Sequence, residues 1–203
     1  RQRIAFTSCL GYTGEASAAA WSQMDATSEA DLILLLGDDH YADTTARNGQ
    51  LAAYVSHRSQ PGFRAITART PTYNIWDDHD YGPNNSDKTY FLRDESFELY
   101  KSYWPNPYFG SDDDGVYFAL HLGGVDVFML DTRFNRQPNK LDAKDKELLG
   151  ERQWRWLEGE LRGSSAPFKL IVSGMQLLAE YHAYESWAMF DSEKQRLLNY
   201  VND

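Results

Sequence analysis

The sequence predicts one α/β domain spanning residues 1–203, and three observations carry that prediction. The run Leu32-Ile33-Leu34-Leu35-Leu36 is apolar without alternation, as expected of a strand covered on both faces in a parallel sheet. Comparable runs alternate with stretches whose apolar residues recur at helical spacing, so helices fall between strands. Several runs end directly in ionisable or reactive residues, and open α/β sheets bind ligands at those strand ends.

The elements follow in order. Ile4-Ala5-Phe6-Thr7 reads as a short buried strand ending at Ser8-Cys9, and Glu15 to Ala26 as a helix with Trp21 and Met24 inward. Asp31 to Leu36 is the second strand. A helical region covers about Gln50 to Arg69 and breaks at Pro61-Gly62. Thr72 to Trp76 is a third strand, ending in Asp77-Asp78-His79-Asp80. Asp94 to Trp104 is amphipathic, with Phe97, Tyr100 and Trp104 on one stripe. Val116 to Leu122 and Val125 to Leu130 flank Gly123-Gly124 as a tight hairpin whose second arm ends at Asp131-Thr132-Arg133. Gly150 to Arg162 is a helix with Trp154, Leu157 and Leu161 inward; the Trp154, Trp156, Leu157 stripe reads as core. Phe168 to Val172 is a strand, and Ser192 to Val201 the last helix.

Composition narrows the function. With 42% apolar and 25% charged residues, 203 residues suffice for a substantial core. Six Trp and thirteen Tyr suit long ordered loops. A net charge of −10 repels a phosphate backbone, so nucleic-acid binding is not expected, and a phosphate-ester ligand would need local cations. The single Cys9 excludes an internal disulfide, and no 18-residue apolar run exists to span a membrane. The sequence opens directly on a strand, so the terminus does not reveal the compartment.

Cys9, Asp38, Asp78-His79 and Asp131-Arg133 all lie at strand ends and can therefore converge although scattered in sequence. Asp38, after a buried strand and Gly37, can project a carboxylate that suits a hard cation, with Tyr41 within reach as a phenolate; equally, Asp38 can cap a helix while Tyr41 packs. Asp77 to Asp80 crowds four ionisable groups, costly unless cations offset the repulsion, or else a solvated acidic turn. His79 beside carboxylates can serve as a general acid. Asn84 and Asn85 offer neutral oxygens, although Asn is ordinary in turns. A lone Cys at a strand end, as Cys9 is, is more often a small buried hydrophobe than a ligand. His40 is either a ligand or supporting group or an exposed loop residue; His57 and His121 are structural; His182 can overhang the site.

Gly37-Asp38-x-x-Tyr41 and Asp78-His79-Asp80 look like variants of motifs of the calcineurin-like metallophosphatase superfamily. Joined by Ser8-Cys9, Asn84-Asn85, Leu130-Asp131-Thr132-Arg133 and Leu149-Gly150-x-x-Gln153-x-x-Trp156-Leu157, they resemble, in order, the PhoD-like alkaline phosphatase family. The resemblance implies a metallophosphatase sandwich of two packed sheets flanked by helices. It implies hydrolysis of phosphate monoesters or diesters outside the cytoplasm, in the periplasm or secreted, with Fe(III) and Ca(II); Mn, Zn or Mg are alternatives. By the same resemblance Cys9 and Tyr41 ligate the ferric ion, Asp38 bridges the metals and Asp78 fills another ligand position. His79 is then the proton donor, and Arg133 and Asn85 contact substrate.

The sequence departs from that family late in the chain. The Gly-Asp-x-His element that supplies further ligands has no counterpart before Asp203, so C-terminal strands are expected to be missing. Three explanations compete: a fragment, which is preferred, a second chain completing the site, or a natural short form. The alternatives in function are a catalytically compromised metal- or phosphate-binding homologue and a metal-dependent esterase of another substrate class.

Overall fold

Strand β1 (Ile4–Thr7) pairs in parallel with β2 (Leu32–Leu35), which pairs in parallel with β3 (Thr72–Asn74). The computed structural model describes residues 2–11, 14–142, 146–180 and 184–202. All four residues of β2 are buried, as its unalternating apolar run requires of a central strand. β1, by contrast, is an edge strand and not a buried one, with Phe6 71% exposed. A short apolar run does not distinguish edge from centre.

The chain forms two compact units, residues 1–84 with 92–106, and residues 85–91 with 107–203. In the first, helix α1 (Glu15–Thr27) buries Trp21 and half-buries Met24. Helices α2 (Arg47–Ser59) and α3 (Pro61–Thr67) follow, divided where Pro61 starts a new helix. α1 packs against α3 so closely that a Cβ on Gly62 would lie 2.7 Å from the Trp21 carbonyl carbon. The four-residue helix α4 (Asp78–Tyr81) was not expected, since four polar-rich residues carry no apolar period. Helix α5 (Arg93–Tyr103) supplies Phe97 and Tyr100, which pack on the buried Trp76 beside Tyr81.

In the second unit β4 (Phe118–His121) and β5 (Val125–Met129) form the expected antiparallel hairpin. Its turn is closed by the Leu122 N–H donating to the Val125 carbonyl, 2.9 Å. After helix α6 (Gly150–Gly163), β6 (Phe168–Val172) joins β5 in parallel. A 3-10 turn (Trp187–Phe190) leads into α7 (Asp191–Asn202). Trp154, Leu157, Trp187, Phe190 and Leu197 form the core with Phe128 and Leu130 of the sheet side. Trp156 is half-buried against Tyr117, their rings 4.8 Å apart. The fold is thus mixed α/β with two three-stranded sheets and flanking helices, as the sequence predicts.

Candidate metal centre

The parallel register of the first sheet sets Thr7, Leu35 and Asn74 side by side, so the segments leaving the three strands emerge together. The Cys9 N–H donates to the Gly37 carbonyl, 3.2 Å, and holds the first two segments in contact. Gly37 takes φ +91°, and a Cβ there would lie 2.4 Å from the Asp77 amide nitrogen. Only glycine lets the second segment pass the third this closely. Cys9, Asp38 and Asp43 also adopt left-handed backbone, with φ 57°, 57° and 43°. Such conformations cost of order 1–3 kcal/mol each in non-glycine residues and gather where a site over-determines them.

The Asp80 carboxylate fastens the loop. It is buried and accepts the amide N–H groups of Asp38 (2.5 Å), Asp39 (2.9 Å), His40 (3.3 Å) and Asp77 (3.1 Å). Burial and the Asp39 and Asp38 carboxylates push its pKa up, against amides that favour the charged form. Burial also pushes Asp39 up to about 7, opposed by its hydrogen bond from the Asn74 amide.

On this frame Asp38, Asp78 and His79 each offer a ligand atom within 4.8 Å of the others. Tyr41 Oη donates to Asp38 Oδ2 at 3.3 Å, and Cys9 Sγ to the same oxygen at 3.6 Å. His79 Nδ1 lies 2.7 Å from Asp43 Oδ1, and its ring rests on Tyr41, centroids 4.1 Å apart. The Asn84 N–H also donates to Asp43 Oδ1, 2.9 Å. Burial first, and then Asp38, raise the pKa of both the Cys9 thiol and the Tyr41 phenol, although hydrogen bonding from Ser8 partly offsets the thiol's rise. Two carboxylates, a thiol and a phenol, whose anions repel one another, together with an imidazole are a donor set suited to a cation, above all one of high charge.

The sequence-predicted residues thus divide. Cys9, Asp38, Tyr41, Asp78 and His79 come together in the first unit. Arg133 and Asn85 belong to the second. There Arg133 is 1% exposed, and its guanidinium donates to Glu185 Oε2 (2.5 Å) and to the Ser86 carbonyl (3.5 Å). Asn85 takes φ 62°. His182 lies outside the described residues. His40 is no exposed loop residue: it is fully buried, its ring edge-on to Tyr54, and burial holds its pKa down to about 3. His57 is buried between aromatic rings, and His121 pairs with Asp126. The sequence does not single out Asp43, and it marks Asp80 only as part of the acidic cluster and motif, because their long-range partners lie 36 to 42 residues away.

Parallel strands that gather acidic, imidazole and thiol donors at their carboxyl ends place the chain in the class of metallophosphatase folds. The solved structures that share the fold include the following three. PhoD matches with a TM-score of 0.78 and 21% identity over 99% of this chain and 48% of that one. Purple acid phosphatase PPD1 from yellow lupin (Lupinus luteus) seeds matches at 0.64 and 14%, over 87% of this chain and 30% of that one. A dimetal phosphatase from Danio rerio matches at 0.63 and 13%, over 98% and 77%. The chain belongs to the PhoD-like phosphatase family, whose profile matches residues 4–202. It spans about half the length of the PhoD structure it matches. No curated protein is similar enough in sequence to match.

Proposed function

We propose that this chain carries the principal metal-binding face of a phosphoester hydrolase acting on phosphate monoesters or diesters. The convergence of Cys9, Asp38, Tyr41, Asp78 and His79 at the ends of one parallel sheet carries the reading. Cys9, Tyr41 and Asp38 would hold a ferric ion, and Asp38 and Asp78 a neighbouring calcium, with Mn, Zn or Mg as substitutes. Bound cations would supply charge stabilisation for the phosphoryl group and an activated water.

The chain's own residues do the rest. Asp43 engages His79 Nδ1 and so orients the ring, leaving Nε2 to deliver a proton to the leaving-group oxygen. Asn85 and Arg133 are assigned to the substrate, a phosphate competing with Glu185 for Arg133 Nη1. Action outside the cytoplasm belongs to the same reading, as does completion of the site by a further segment or a second chain.

Because His79 also lies within the ligand group, it has a second reading as a metal ligand. The two separate in one experiment. Metal-loaded wild type should hydrolyse bis-p-nitrophenyl or p-nitrophenyl phosphate; stoichiometric metal without turnover of either defines a binding protein instead. In His79→Ala, an acid role predicts retained metal and a rate loss of ~10²–10⁴ on alkyl phosphates, smaller on p-nitrophenyl esters whose leaving group needs no proton. Loss of metal with equal losses on both substrates makes His79 a ligand.

A further inference from the structure

Arg58, in the last turn of α2, has no role in the site above. Its guanidinium carbon lies 4.9 Å over the Trp104 ring and 5.8 Å from the Phe63 centroid. Both rings are 2% exposed, so the cation rests on a dry aromatic floor. Among the described residues this half-buried guanidinium makes no hydrogen bond and no ion pair, and the acidic groups that act on it through space are Asp39 and Tyr103. Arg69 and Arg196, by contrast, are committed, to Asp25 and to Glu151 and Glu158.

Two depressions, of about 670 and 390 Å³, share Arg58, Phe63, Thr67 and Ala68 in their linings. Arg64, likewise without an ion pair, lines the larger. No carboxylate lines either one, in a protein with 30 acidic residues against 20 basic ones. Positive charge is thus concentrated here against the net charge of the whole. The guanidinium over Trp104 keeps its N–H donors free of protein acceptors among the described residues, and such a fork can take two oxygens of one anion.

We infer that Arg58 anchors a second anion site, for a phosphoryl group, with Arg64 as the supporting cation. The group arrives either as free phosphate or as the head of a phosphate ester, whose organic part would lie along Phe63 and Pro105. None of the lining residues belongs to the Asp38 cluster, so occupancy here does not depend on the proposed hydrolysis.

The test is made on the full chain carrying Asp38→Asn, which disables phosphate binding at the cluster whether or not the protein is an enzyme. Inorganic phosphate and the non-hydrolysable phenylphosphonate are titrated while the Arg58 Nε–H resonance is followed by NMR, assigned by its loss in Arg58→Gln. The expected result is a saturable shift of that resonance. Affinity should weaken about tenfold or more in Arg58→Gln, and about threefold in Arg58→Lys, which keeps charge but loses the fork. Arg64→Gln, an exposed change that leaves the fold intact, should weaken it about two- to fivefold. Tighter binding of phenylphosphonate than of phosphate identifies an ester as ligand, and equal binding identifies the free ion. An unmoved Arg58 resonance, or equal affinities in wild type, Arg58→Lys and Arg64→Gln, overturns the site. So does an Arg58→Gln variant that is destabilised by the same amount with and without phosphate, which would leave Arg58 only the task of covering Trp104.

Discussion

Asp38 leaves β2 in the first unit and Asp131 leaves β5 in the second, each at the end of a buried apolar strand. The Asp131 carboxylate accepts three backbone amides, from Val116 (2.8 Å), Arg133 (2.7 Å) and Phe134 (3.0 Å). Its own peptide is bracketed by Gln153, which accepts from the Asp131 N–H and donates to its carbonyl. Asp38 instead faces a thiol, a phenol, Asp78 and an imidazole, on a backbone held left-handed. Fixed amides saturate a carboxylate in the folded protein itself, whereas a phenol and a thiol that can lose their protons leave it open to share a cation with them. One sequence feature therefore yields a structural anchor in one unit and a candidate ligand in the other, and the surrounding donors tell them apart.

The sharpest way to break that comparison is Asp38→Asn. It should abolish stoichiometric metal and lower phosphodiester hydrolysis about a thousandfold or more, with the thermal midpoint unchanged or raised because a buried charge is relieved. Elemental analysis, steady-state rates and calorimetry read the three effects. Asp131→Ala should do the converse. Three amides lose their acceptor, at a cost of about 3–5 kcal/mol by urea denaturation, while metal per folded molecule stays constant. Metal loss in Asp131→Ala at full stability would erase the distinction. Gly37→Ala tests the frame between: φ +91° and the 2.4 Å approach to Asp77 should cost about 2–4 kcal/mol and loosen metal as well.

What the sequence made legible follows the range of the interactions. β2, the Gly123-Gly124 hairpin and the break at Pro61 are local patterns, and each was readable. The gathering of Cys9, Asp38, Tyr41, Asp78 and His79 was also readable, because parallel strands bring their carboxyl ends together whatever the loop lengths. The clamp made by Asp80 was not: beyond the local Asp77 amide, its partners are backbone amides 40 to 42 residues earlier, and backbone leaves no side-chain signature. Asp43, two residues past Tyr41, looks like any turn aspartate until His79 folds against it. Arg133 reads as an available cation because Glu185, which occupies it, lies 52 residues further on.

The histidines extend the same contrast with a smaller effect. His79 meets a carboxylate at the site, whereas His57 is enclosed by Trp21, Phe63 and Trp104, and burial, reinforced by Arg58, holds its pKa down to about 4. Its folded pKa is below the ~6.5 of an unfolded histidine, so the unfolded chain binds the proton first. The stability His57 contributes is therefore complete above pH ~6.5 and declines as pH falls toward 4, by up to about 3 kcal/mol. His57→Gln removes the titration: it should be less stable than wild type by about 1–2 kcal/mol at pH 7. That gap should close as pH is lowered from 6.5 to 4.5, measured by urea denaturation at each pH. A gap constant across this range would mean that His57 accepts a proton inside the fold as easily as outside it. The aromatic enclosure would then be no barrier to charge, and His57 would belong with His79 rather than with Asp131.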